Sequence, residues 1–337
     1  MRGSGRNNRV SLLKFLASCL VIFIHIPMSG RAGQAMDGLA RIAVPFFFAI
    51  SGYYALNASD AQLCRRMRKV VLLTLIGNVL YWGWHIYALM AESVYTLPLA
   101  LQIVFTRRNL LLFLLFGENV MGIHLWYLPA VLTACGLYYA FRKRWSKGNK
   151  GNRLYYGLAL FLYLIHLCLA LGTSLLYIFY RNGLLFGVPL FAFGLFFREY
   201  LEERFVRWKA IKGAVVLWIV VGIALSLVQR FTLGKTEMPL GMWLVLMGLM
   251  TFSFVNIPEQ TEQRGLRYLE QASTWIYIIH LLFYLFVETY YQRVLLLASV
   301  RSSLWGYPFG VMAASILVSM CIVACENATQ KKSMKIV

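Results

Sequence analysis

Lys14 and His25 lie in an apolar stretch, residues 10–28, with ten residues between them. A step of eleven at 100° per residue returns a helix to within about 20° of the same direction and climbs roughly 16 Å. Ser11 and Ser18 fall on the same stripe. A cation, two hydroxyls and an imidazole on one face of an apolar helix must meet protein or water, because an ionisable group facing lipid is costly. The imidazole has the chemistry to offer: it titrates near neutral pH, so a neutral His25 can take a proton from a hydroxyl and return it. A histidine that hydrogen-bonds a neighbouring helix is the alternative.

Other groups fall into similar patterns. Arg41 and Gly52 are eleven apart and share a face, with Pro45 between them and Ser51 and Tyr53 beside Gly52. Pro45 removes a backbone donor, and Gly52 lets a helix or a ligand approach closely. Arg65, Arg66, Arg68 and Lys69 form a basic run that suits a nucleotide diphosphate such as the pyrophosphate of coenzyme A. A topological anchor beside anionic lipid explains the run as well. Ser273, Tyr277, His280 and Tyr284 form a second polar stripe, able to face the first. His124, Trp126 and Tyr127 read as an aromatic belt or as a sugar-stacking edge, with Arg181 at the same outer face. His85 and His166 lack such company and read as structural. The five histidines lie on separate apolar segments without ligand spacing, so no metal is expected. The six cysteines make no CxxC pair.

These residues need membrane helices to position them. Hydrophobic residues make up 60% of the 337, charged residues only 14%, and the mean hydropathy is +0.65. Apolar runs recur at lengths that cross a ~30 Å hydrocarbon core, which predicts an all-α polytopic bundle of about ten transmembrane helices. The expected spans are 10–28, 40–56, 70–89, 124–141, 154–171, 183–197, 211–228, 240–257, 272–291 and 304–325. Residues 99–116 carry Arg107 and Arg108 in the middle and read as re-entrant. Arg2, Arg6 and Arg9 before the first run resemble a signal peptide, but the polar face marks it as a retained span. With the N-terminus inside, twenty-three of the 33 Lys and Arg fall in cytoplasmic loops and nine outside. That asymmetry puts both termini in the cytoplasm and explains the net charge of +20 without nucleic acid.

The motifs resemble a known family. Lys14-x10-His25 is similar to the Arg/Lys-x10-His motif of the acyltransferase-3 family of bacterial integral-membrane acyltransferases. Arg41 followed by Val44, Pro45 and the stretch Phe47 to Tyr53 resembles the family's second-helix signature. Arg65 to Lys69 resembles its basic loop after that helix, and Ser273, Tyr277 and His280 its late helix motif. The resemblance covers nearly all of 1–337 as one transmembrane domain. It implies a ten-helix core that takes an acyl group, usually acetyl, from cytoplasmic acyl-CoA to a hydroxyl of a sugar or other acceptor at the outer face. His25 is then the catalytic histidine, Lys14 and Arg41 are the basic motif residues, and Arg65, Arg66 and Arg68 lie near the donor. Ser11 stands where the family often has Asp, and Lys14 lacks the bidentate geometry of arginine. His124 to Pro129 and Arg181 to Gly183 also resemble the membrane half of the vancomycin-resistance serine racemases, which is associated with amino-acid uptake.

The resulting expectation is an O-acyltransferase of the plasma or inner membrane that acts on a cell-envelope or exported glycan. Its catalytic residues are His25, Lys14 and Arg41. Ser51, Gly52, Tyr53, His124, Trp126, Tyr127, Arg181 and His280 are expected to bind substrate, and Arg65, Arg66, Arg68 and Lys69 the donor. No tightly bound cofactor is expected, since acyl-CoA is a substrate. The partners are the bilayer and a glycan or lipid-linked sugar, with homo-oligomers left open. An amino-acid transporter and a structural partner of an envelope assembly are the competing readings.

Overall fold

The computed structural model describes residues 7–91, 95–117, 122–145, 149–172, 182–233, 241–255, 263–294 and 306–336. Among them every regular element is helical. In chain order these are α1 Asn8–His25, α2 Gly30–Ala40, α3 Ala43–Leu56, α4 Asp60–Ala91, α5 Leu97–Val104, α6 Arg107–Phe116, α7 Tyr127–Arg144 and α8 Lys150–Gly172. Then follow α9 Gly183–Arg207, which contains two π-helical turns, α10 Ile211–Leu233, α11 Met242–Phe254, α12 Arg264–Val294 and α13 Tyr307–Ile336. The protein is an all-α, multi-pass membrane bundle. Eight helical segments among the described residues are long and apolar enough to cross a membrane, with α2 and α3 counted as one. The two further spans expected from hydropathy correspond to α7, which ends in Arg142, Lys143 and Arg144, and to the 13-residue α11.

Local chemistry sets the helix ends. The Asn7 side chain accepts from the amides of Arg9 and Val10 and so caps α1. Pro27 ends the same helix, because the residue before a proline is driven out of the α region and Ile26 sits at φ −125°, ψ 74°. The second span begins at Gly30, ten residues before the apolar run from which it was expected to start. Arg31, Gln34 and Asp37 lower the hydropathy of α2 and hide it from a sequence window. The span breaks at Arg41 and Ile42, which places Pro45 in the first turn of α3, where its missing N–H is tolerated. α4 has 32 residues and is roughly 48 Å long, well beyond the ~30 Å apolar core. Its first turns carry Arg65 to Lys69, so this run is helical rather than the loop expected.

Contacts divide the chain into two compact units, Met1–Phe46 with Glu203–Val337, and Phe47–Glu202. In the first unit α1 packs along α12, and α13 closes the group through Ile22, Ile26, Ala272, Ile276, Val311 and Val323. In the second unit α3 and α9 cross at Gly52 and Gly194. A Cβ at Gly52 would run into the carbonyl of Phe191, and one at Gly194 into that of Ala49. The start of α4 meets the end of α7 through Asp60 and Arg142, while Tyr81 meets His124 before the start of α7. α4 and α7 are therefore antiparallel, which leaves α5 and α6 no net crossing between them. Those two helices are bent by 45° at Thr106, whose side chain caps α6.

Candidate functional site

The two polar stripes meet along α1 and α12. Lys14 Nζ lies 2.9 Å from a Glu270 carboxylate oxygen, and Ser11 Oγ donates to the other oxygen at 2.9 Å. One turn on, Ser18 Oγ is 2.9 Å from the Ser273 carbonyl and 3.0 Å from the Lys14 carbonyl. At the far end the His25 and His280 rings stand 5.4 Å apart at 41°. Lys14 and Glu270, Ser18 and Ser273, and His25 and His280 are each 255 or 256 residues apart, so the helices run parallel and in register. His25 occupies the last turn of α1 and is half-buried, whereas His280 is buried completely.

The His280 ring is fixed by the backbone. Its Nδ1 lies 3.1 Å from the Ile276 carbonyl and 2.9 Å from the Tyr277 carbonyl. Carbonyl oxygens only accept, so Nδ1 carries the proton and Nε2 holds the lone pair. A second histidine of defined tautomer thus stands beside His25. The arrangement can hold a proton on either ring and can stabilise charge that develops on the half-buried one.

Sequence reasoning missed the carboxylate of this site. Glu270 lies just before the expected span 272–291, yet it shares a face with Ser273, Tyr277 and His280, and that spacing was the available signal. With 33 Lys and Arg against 13 Asp and Glu, the few acids of the chain are informative about which cations are held. Asp37 is a second case. Its carboxylate takes Arg41 Nε at 3.2 Å and Arg230 at 2.8 Å, and its side chain is only 6% exposed. Arg41 is thereby tied to α2 and α10 at the break between α2 and α3.

In the second unit the expected binding residues make the following contacts. Ser51 Oγ donates to the Phe47 carbonyl at 2.7 Å, and Gly52 forms the close crossing with α9. Tyr53 donates to Glu202 at 2.8 Å and receives a hydrogen bond from Arg198, whose guanidinium also lies 4.6 Å from its ring centre. Arg198 and Glu202 pair at 3.2 Å. His124 is buried against Tyr81, while Trp126 and Tyr127 stack around Phe48 and Phe186. His166, read as structural, is buried against Phe186. Arg65, Arg66, Arg68 and Lys69 are exposed on α4, and Arg66 donates to the Tyr54 carbonyl at 2.9 Å. Arg181 lies outside the described residues. Among the described residues no three His, Cys, Asp or Glu gather as metal ligands.

Comparison with known proteins covers nearly the whole chain. The model of the acyltransferase-3 family, described as an acyltransferase domain, matches residues 7–324. A serine/alanine racemase of Enterococcus gallinarum is 25% identical over 308 residues, or 82% of this chain. The chain spans about 40% of the length of that curated relative. No solved structure matches.

Proposed function

The chain belongs to the acyltransferase-3 family, and from that membership we propose that it moves an acyl group, acetyl in the simplest case, from cytoplasmic acyl-CoA to a hydroxyl of a cell-envelope or exported glycan. The observation that carries this reading is the His25–His280 pair at 5.4 Å, set at the end of a seam of fixed polar contacts. His25 takes the proton of the acceptor hydroxyl as its oxygen attacks the thioester carbonyl. The C–S bond breaks, and the departing thiolate recovers the proton from the imidazolium. His280, with its Nδ1 proton committed to the backbone, presents a lone pair rather than a second donor to this region. Lys14, Ser11 and Glu270 hold the two helices in the register that sets the histidines side by side. The cytoplasmic excess of Lys and Arg supports entry of an anionic donor from that face and residence in the plasma or inner membrane.

The likeness to a serine/alanine racemase supports a second reading, in which the polar seam lines a path for an amino acid. Purified protein incubated with labelled acetyl-CoA, with and without envelope glycan, separates the two. Turnover in wild type that falls at least about 100-fold in His25→Ala is the expected result. Amino-acid uptake in proteoliposomes without any acyl-CoA binding would overturn the acyltransferase reading.

A further inference from the structure

The second unit contains a cavity of about 760 Å3 where the start of α4, the end of α7 and the start of α8 converge. Small-molecule sites span roughly 300–1,000 Å3. We propose that this cavity holds the nucleotide end of the acyl donor, a purine ring with its phosphorylated ribose. This rests on the acyl-CoA reading above and assigns a site for the donor's handle, distinct from the run Arg65 to Lys69.

The walls are built rather than incidental. Arg142 is locked by Asp60 at 2.7 Å and by the Ala58 carbonyl at 2.7 Å. Asn152 donates to Glu199 at 3.1 Å, and Asn149 and Tyr156 donate to the same carboxylate. The Asn152 side-chain carbonyl is left as an acceptor. Lys143 supplies the cation for phosphate: it lies 6.0 Å from the Tyr139 ring centre, and among the described residues no carboxylate pairs with it. Arg144, Lys150 and Arg153 add positive charge nearby in sequence. Trp145 is half-buried, backed by Phe141 at 5.0 Å, and lines the same cavity as a platform for a flat base. The lining also includes Asp60 and Ser59. The Asp60 carboxylate is charge-paired with Arg142 and can still accept from ribose hydroxyls or an exocyclic amine. Cation, aromatic platform and acceptors together match a nucleotide better than a lipid headgroup. The positive-inside assignment puts all three helix ends on the cytoplasmic side, where such a donor is found.

The test uses the full chain in detergent, with adenosine 3′,5′-bisphosphate as the calorimetric probe. Trp145→Leu and Lys143→Glu should each weaken binding about tenfold, while Trp145→Phe keeps it within about threefold. The same two variants should raise the KM for acetyl-CoA by a similar factor with kcat unchanged. Acetyl-pantetheine, which lacks the nucleotide, should react equally with wild type and variants. Wild-type turnover with an unchanged KM in both variants overturns the site and leaves the acyltransferase reading intact. Trp145-dependent probe binding without any acyl transfer overturns that reading and keeps the cavity as a nucleotide site. No probe binding, with phosphatidylglycerol retention in nanodiscs lost in Lys143→Glu, assigns the cavity to lipid and overturns the proposal.

Discussion

Glu270 is the residue on which the site's register depends. Its two oxygens hold Lys14 and Ser11, and the Lys14–Glu270 pair is about one-quarter exposed on each side. Neutralising it leaves an ammonium group without its counter-charge at the edge of an apolar seam. Glu270→Gln should therefore lower stability by about 1–3 kcal/mol in thermal unfolding in detergent. Replacing both partners removes the stranded charge, so Lys14→Met with Glu270→Met should be more stable than either single change. A double variant as destabilised as the sum of the two singles would show that the pair does not act as a unit. His280 makes a different prediction. Because its Nδ1 is bound to the backbone, its effect must pass through the lone pair on Nε2. His280→Phe keeps the ring packing and removes that lone pair. It should reduce kcat about tenfold or more with KM within twofold, and it should alter the pH profile of transfer. A parallel rise in KM would instead assign His280 to substrate binding.

Single glycines decide how closely the helices of the second unit approach. The α3–α9 crossing has no room for a methyl group on either side, since Gly52 meets the Phe191 backbone and Gly194 the Ala49 backbone. Main chain cannot yield as a flexible side chain can, so Gly52→Ala and Gly194→Ala should each cost at least about 1–3 kcal/mol. Gly83, on the exposed face of α4, has nothing near its missing Cβ. Gly83→Ala should be neutral or stabilise the helix by up to about 1 kcal/mol. Equal melting temperatures for all three variants would refute the crossing. The Tyr53 hydroxyl also joins α3 to Glu202 and Arg198 on α9.

Across the whole molecule, helix directions test the topology. Asp60 against Arg142 makes the start of α4 and the end of α7 neighbours. In a cysteine-free background, Ser59→Cys and Lys143→Cys should react with a membrane-impermeant maleimide only from the cytoplasmic face, and Arg31→Cys only from the opposite face. Reaction of Ser59→Cys and Lys143→Cys from opposite faces would reverse the direction of α7. Much of this was legible in the sequence, because membrane insertion obeys one-dimensional rules. Hydropathy alone specified an all-α bundle, and the 3.6-residue period put Lys14, Ser18 and His25 on one stripe and Ser273 and His280 on another. Helix partnership does not follow from such rules. A polar stripe states that a partner exists, but not which helix supplies it or in what register. Only the tertiary structure chose Glu270 for Lys14, Asp37 for Arg41 and Arg230, and His280 for His25. In each case the two groups lie on separate elements or across a helix break that hydropathy hides, and an ion pair or a ring contact forms by distance in space.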